Sequence, residues 1–326
     1  MNDYPILNFN GIRVQVLGDQ HLGRKFVSGV PLHRRGDREH DVVRHFQDHM
    51  SRIDCDLHVN MGDVFDKPVV APDYVKIVAD SYIAAVKANP KTTFVIIEGN
   101  HDKGKDEERT TSFDLLARIL KPFDKIIVVQ NECMIWSATN GPTFLFVPWQ
   151  AKVTTEELIN QFHEYLGWPD LKYQAVFGHW DVIAVSDTSN LVPLDAINAE
   201  VFITGHDHKR RDDGKVLVVG SMQPYAHGED WTGTMYQTLT LAELEMISVE
   251  DRKRMCLRVV LAEGETLPEG IDAYQVTIMR EKKDGSMDLE VSMDGLDMGT
   301  VWKDTFAEFG VSPKLSESLL TKFRER

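Results

Sequence analysis

Cysteine is scarce, with three in 326 residues. Cys55, Cys133 and Cys256 lie far apart and form no CxxC pair. They read as buried or free thiols of a protein in a reducing cytoplasm. No apolar run approaches the length needed to span a bilayer. The opening residues, "MNDYPILNFNG", hold no basic segment ahead of an apolar one and do not read as a signal peptide. Positive charge is in deficit: 36 Lys and Arg stand against 51 Asp and Glu, a formal net charge of -15. That argues against nonspecific adhesion to nucleic acid through a broad basic surface. A local basic rim remains open, and carboxylates that hold divalent ions add negative charge when counted without their ions. Fixed-period repeats and low-complexity tracts are missing too. What is present is ordinary for a globular chain with a sizeable core: 42% hydrophobic and 27% charged residues. The length allows one large domain, or one large and one small.

Over the first two-thirds, short runs rich in Val, Ile and Phe alternate with longer amphipathic stretches. "IRVQVLGD", "CDLHVNMGD" and "TTFVIIEGNHD" read as strands. Between and after them, "DVVRHFQDHM", "DYVKIVADSYIAAVKA" and "SFDLLARIL" read as helices, the last ended by Pro122. "KIIVV", "TFLFVPW", "YQAVFGH", "EVFITGH" and "KVLVVGS" read as later strands. This alternation predicts an α/β layered fold with mixed sheets. Near residue 240 the pattern changes to the charged "AELEMISVEDRKRM". After it, "YQVTIM" and "SMDLEVSM" flank "KKDG" and read as a hairpin. The expected organisation is a main domain over 1–258 and a small α/β domain over 259–326 that ends in a polar helical segment.

The chemistry gathers at five strand ends. They carry Gly18-Asp19-Gln20-His21, Gly62-Asp63, Gly99-Asn100-His101-Asp102, Gly178-His179 and Gly205-His206-Asp207-His208. In open α/β sheets, sites form at the carboxyl ends of strands. A lone Gly-Asp or Gly-His is usually a turn, with a functional prior of roughly one in ten. Five independent turns that each deliver Gly and then a donor make the turn explanation untenable. Asp, Asn and His are oxygen and nitrogen donors suited to Mn²⁺, Fe²⁺ or Zn²⁺, and the lack of Cys argues against a structural zinc site. Seven donors exceed what one ion needs. A carboxylate can bridge two ions about 3.5–4 Å apart, and Asp63, from a central motif, is the natural bridge. His45 and His49 sit four apart but lack the Glu of HExxH, so they read as an exposed helix flank. His33, His40, His58, His163 and His227 carry no assigned role, and Asp207 points away from its two neighbours by alternation.

In this order, "GDQH", "GDVFDKP", "GNHD", "GH" and "GHDH" resemble the motif set of the calcineurin-like metallophosphoesterases. Within them, "DQHLGRKF", "GDVFDKPVVAP" and "VLVVGSMQP" resemble the SbcD-type DNA exonucleases, bacterial and phage relatives of the meiotic-recombination-eleven nuclease. The resemblance covers about residues 10–230. It implies a four-layer α/β/β/α sandwich with a small C-terminal capping domain. It implies two divalent ions, most readily Mn²⁺: one held by Asp19, His21, Asp63 and His208, the other by Asp63, Asn100, His179 and His206. It marks His101 as the catalytic histidine, a general acid by its chemistry, with Asp102 to orient it and Asp66 to tune the site. The protein phosphatase branch carries GDxxDRG and GNHE. Here Lys67 follows Asp66 and the motif ends in Asp102, so a bidentate phosphate clamp is missing and phosphomonoester chemistry is disfavoured.

The implied activity is a Mn²⁺-dependent nuclease that hydrolyses phosphodiesters with a metal-activated water, exonucleolytic on duplex ends and endonucleolytic on single strands, in DNA repair and recombination. Expected backbone contacts are Arg24, Lys25, Arg34, Arg35 and Arg38 after the first motif, and Lys209, Arg210 and Arg211 after the last. The resemblance also implies an SbcC-type ATPase partner, a homodimer, and a cytoplasmic location, the host's if the chain is phage-encoded. The alternative is a phosphodiesterase of the same fold acting on a cyclic nucleotide or another small diester. A metal-binding scaffold without activity fits less well, because the two-ion donor set is complete.

Overall fold

The computed structural model describes residues 6–104, 109–168, 171–183, 190–230 and 232–280. The first sheet holds β1 (Ile6–Phe9), β2 (Ile12–Leu17), β3 (Leu57–Asn60), β4 (Thr93–Ile97) and β5 (Ile126–Val129) in that spatial order. β2 to β5 run parallel, and β1 closes one edge antiparallel. Every residue of β3 and β4 is buried, as expected of parallel strands covered on both faces. The crossovers are α1 (Asp37–Met50), α2 (Pro72–Ala88) and α3 (Ser112–Leu120). α1 buries Val42, Phe46 and Met50, one helical turn apart. α2 starts on Pro72, whose missing N–H costs nothing at that position. α3 opens with a Thr111–Asp114 capping box.

The second sheet runs β10-β11-β9-β8-β7-β6. It comprises β6 (Met134–Ser137), β7 (Thr143–Phe146), β8 (Tyr173–Gly178), β9 (Ala199–Thr204), β10 (Arg211–Asp212) and β11 (Val216–Val218). β7, β8, β9 and β11 are mutually parallel, with antiparallel strands at both edges. Between β7 and β8 lies α4 (Thr155–Leu166), capped by Thr154 and Glu157 and ended by Gly167 in the left-handed region.

Three apolar cores make four layers of these elements. Val14, Val16, Val59, Val95 and Ile97 of the first sheet meet Phe144, Phe146, Phe177 and Ile203 of the second. Phe146 and Phe177 stack at 4.9 Å there, and truncating either to Ala should cost roughly 3–5 kcal/mol. A second core joins the outer face of the first sheet to α1, α2 and α3 through Phe46, Tyr82, Phe94 and Phe113. A third joins the outer face of the second sheet to Leu158 and Ile159 of α4. The expected α/β/β/α sandwich is the fold of this chain.

A third, all-parallel sheet holds β12 (Tyr236–Thr240), β13 (Cys256–Leu261) and β14 (Gln275–Arg280), with α5 (Leu241–Met246) and α6 (Val249–Arg252) between the first two strands. The boundary expected after residue 258 therefore falls inside β13, and the small sheet already begins at Tyr236. The second arm of the expected hairpin and the terminal helical segment lie outside the described residues. β1 and β6 carried no clear sequence signal, because short, half-exposed edge strands show no continuous apolar run. All three cysteines are buried and unbridged. Among the described residues, no helix is long and apolar enough to cross a membrane.

Candidate metal centre

All five donor groups follow the carboxyl ends of parallel strands: β2, β3 and β4 in one sheet, β8 and β9 in the other. Face-to-face packing of the two sheets brings these ends together. Asp19, His21, Asp63 and His179 are buried, and Asn100, His101, His206 and His208 are partly buried.

The backbone shows where the strain lies. Seven described non-glycine residues have positive φ. Three are the asparagines Asn10, Asn131 and Asn140, a residue that tolerates this region in turns. The other four are Asp19, His21, Asp63 and His206, at φ 44°, 45°, 51° and 74°. Strain of this kind persists only where the surroundings over-determine it, and it concentrates at functional sites. Of the five glycines before the donors, only Gly62 itself has positive φ. Gly99 serves by being small: a Cβ there would sit 2.3 Å from the Asp63 backbone nitrogen and from Asp63 Oδ1. The donors take the turn, and the glycines make room for it.

The assigned donors form two groups beside Asp63: Asp19, His21 and His208 converge in one, and Asp63, His179 and His206 in the other, while His21, Asp63 and His101 make a third. Asp63 Oδ2 lies 3.6 Å from His21 Nε2 and 3.4 Å from His179 Nε2. In the first group, His21 Nε2 and His208 Nε2 approach to 3.0 Å. In the second, Asn100 Oδ1 lies 2.8 Å from His179 Nε2 and 3.0 Å from His206 Nδ1.

The far nitrogens of three rings fix which atoms face inward. His179 Nδ1 meets the Met61 carbonyl at 2.9 Å. His206 Nε2 meets Asp181 at 3.0 Å, and His208 Nδ1 meets Glu229 at 3.1 Å. A metal-holding ring is neutral, and with each of these nitrogens donating to an oxygen the inward nitrogen of such a ring is left as a lone-pair donor. Asn100 Oδ1, His179 Nε2 and His206 Nδ1 are then three acceptors within 3.3 Å of one another. Asp19 Oδ2 is buried without a hydrogen-bond partner, while Asp19 Oδ1 accepts from the His206 N–H. Converging acceptors with an orphaned carboxylate oxygen among them fit a cation. The protein's own charges already set the rings apart. Burial lowers His21 to about 3. Burial also opposes charge on His179, but Asp63 and Asp19 outweigh it and raise that ring to about 9.

His101 lies beside both groups. Its N–H donates to Asp63 Oδ1 at 2.9 Å, and its Nδ1 meets the Asp66 carbonyl at 2.7 Å. The orienter is thus the Asp66 backbone and not Asp102. Asp102 is fully buried and accepts the N–H groups of Val64, Phe65 and Gly99. It ties the loop after β3 to the loop after β4. Burial and the Asp63 charge raise its carboxyl well above the ordinary range, against the pull of those three N–H groups. The Asp66 carboxylate stands 3.9 Å from His21 Nδ1.

The basic residues divide. Arg34 bonds Asp37, Asp272 and the Lys253 carbonyl. Arg38 is buried and bonds the Tyr236 hydroxyl, Cys256 Sγ and the Pro224 carbonyl. Both pin the main domain to the third sheet, which corrects their expected role as DNA contacts. Arg211 pairs with Asp207 at 2.8 Å. Lys25, Arg35, Lys209 and Arg210 are exposed. His49 is also corrected: it is buried and meets His58 at 3.1 Å. Asp181, Glu229 and Tyr225 escaped the sequence reading. Asp181 follows His179 by two residues, a proximity that could have marked it. Glu229 and Tyr225 follow the last motif by about twenty residues and meet it only through the fold.

Among solved structures, the nuclease MPE of Pseudomonas putida aligns with 69% of this chain and 88% of its own, at 13% identity and a TM-score of 0.32. None of the curated protein sequences matches. The profile of the calcineurin-like phosphoesterases matches residues 12–237, the span that holds β2 to β11 and every donor described above. The chain belongs to the calcineurin-like phosphoesterase family.

Proposed function

We propose that this chain is a two-metal phosphodiesterase acting on DNA, an SbcD-type nuclease. The observation that carries the reading is the pair of donor groups beside Asp63, with His101 bonded to that carboxylate. The residues fit one ion held by Asp19, His21, Asp63 and His208, and another by Asp63, Asn100, His179 and His206. Mn²⁺ suits this mixed oxygen and nitrogen set. When bound, such ions polarise a phosphoryl oxygen and lower the pKa of water.

The remaining work falls to side chains. Asp63 orients His101 through the backbone N–H, and the Asp66 carbonyl takes up Nδ1. That leaves Nε2 as the atom free to hand a proton to the leaving oxygen. Asp181 and Glu229 keep His206 and His208 turned inward. Asp102 keeps the loops after β3 and β4 in register. Exposed Lys25, Arg35, Lys209 and Arg210 suit contacts to the DNA backbone. Residues 259–326 are proposed as a capping domain. An SbcC-type ATPase partner, a homodimer and a cytoplasmic location complete the proposal on sequence resemblance.

The test is digestion of end-labelled linear and closed circular DNA with Mn²⁺ or Mg²⁺, beside a generic small diester. Mn²⁺-dependent shortening of the linear duplex is expected, with nicking confined to single-stranded regions. Rapid turnover of the small diester with inert DNA would overturn the nuclease reading and leave a small-molecule phosphodiesterase.

A further inference from the structure

Four arginines, Arg24, Arg34, Arg35 and Arg38, follow the first motif, and the fold uses Arg34 and Arg38 up. Arg34 and Arg38 are saturated by the contacts given above. Arg24 is not. Its nearest carboxylate, Asp66, stands at 4.0 Å, beyond hydrogen-bond range. Among the described residues, its guanidinium makes no hydrogen bond, and the side chain is 35% exposed.

Arg24 is nevertheless held in place. Its guanidinium carbon lies 4.8 Å from the centre of the Tyr225 ring. A cation stacked on an aromatic face keeps its in-plane N–H groups available. Tyr225 is itself immobilised. It is buried, and its hydroxyl donates to the Gln20 carbonyl at 2.5 Å. Its ring packs edge-on against His21 at 5.3 Å and lies 5.6 Å from His208. The Arg24 N–H also closes a turn onto the His21 carbonyl at 3.1 Å. A free guanidinium fork is thus fastened beside the Asp19, His21 and His208 group, on the same loop as two of its donors.

We propose that Arg24 is the phosphate clamp of this enzyme and binds the non-bridging oxygens of the scissile phosphodiester beside the Asp19–His21–His208 donors. This rests on the phosphodiesterase reading and sharpens it. The planar fork matches the two equivalent oxygens of a diester. It also supplies, from another loop, the clamp that is absent at Lys67. A strand contact would recognise DNA alone, whereas a clamp on the reacting group must act on any diester.

The test compares Arg24→Ala and Arg24→Lys with the unaltered full chain. It uses bis(p-nitrophenyl) phosphate, end-labelled duplex DNA, and calorimetric titration of inorganic phosphate into manganese-loaded protein. Manganese stoichiometry is measured on each variant. For Arg24→Ala, unchanged stoichiometry is expected, with kcat/KM lowered about 10- to 100-fold on both substrates. Phosphate binding should weaken by a similar factor, and Arg24→Lys should recover only part of each loss. A loss confined to DNA would make Arg24 a strand contact and overturn the clamp. Loss of bound manganese would make it a structural support and overturn the clamp equally. Should the unaltered protein cleave the small diester but not DNA, the nuclease reading fails while the clamp stands or falls on the diester data. Should it cleave neither, the phosphate titration decides. If Arg24→Ala does not fold, Arg24→Lys carries the comparison: full activity and full phosphate affinity there would overturn the clamp.

Discussion

Two histidine pairs in this chain share one contact and differ in everything around it. His21 and His208 bring their Nε2 atoms to 3.0 Å, and His49 and His58 bring theirs to 3.1 Å. The first pair sits with Asp19 and Asp63 on strained turns at strand ends. The second sits between α1 and β3 against Tyr82 and Phe94, and no metal-holding group among the described residues includes it. Ring proximity therefore says little about chemistry. What separates a metal centre from a packed polar pair is the carboxylates that converge on it and a backbone bent to aim them.

The strongest test of that contrast is Asp63→Ala, which removes the carboxylate proposed to serve both ions. Calorimetry with Mn²⁺ should find tight binding lost, and diester turnover should fall by at least about a thousandfold. Retention of both ions would mean that Asp63 is not their common ligand. His101→Ala should leave manganese stoichiometry unchanged and cost roughly 10²–10⁴ in kcat. Cleavage at the original rate would remove its role as acid.

Glu229→Gln and Asp181→Asn keep shape but weaken the grip on His208 and His206. Each should lower metal affinity about 10- to 100-fold, and unaltered affinity in both would show that these carboxylates do not position the ligands. The smallest effect belongs to the second pair. Burial holds His49 at about 4 and His58 well below the ordinary histidine value. The unfolded chain protonates these rings below about pH 6.5 while the folded chain does not. Their contribution is therefore complete above that pH and is lost as pH falls toward 4. Urea unfolding at pH 7 and pH 5 should show His58→Leu losing about 1–2 kcal/mol less stability than the unaltered protein. An identical loss in both would contradict this account. Metal binding should not change in His58→Leu.

The arginines repeat the lesson on the surface. By sequence, Arg24, Arg34 and Arg38 are equivalent members of one basic loop. In the fold, Arg34 and Arg38 join elements more than 180 residues apart, whereas Arg24 is held on Tyr225 with its donors open. Asp102 was legible as part of the site, but its work, bonding three backbone N–H groups across two loops, was not.

The sequence by itself determined the layered α/β architecture and the identity of the donors. Continuous apolar runs mark parallel strands wherever they occur, and a donor that follows a strand is placed by local backbone geometry. Only the tertiary structure decided which donors converge, which carboxylates turn the histidines, where the third sheet begins and which arginines are tied down. Those outcomes depend on two sheets meeting face to face. Contacts between residues far apart along the chain leave no local pattern by which to read them.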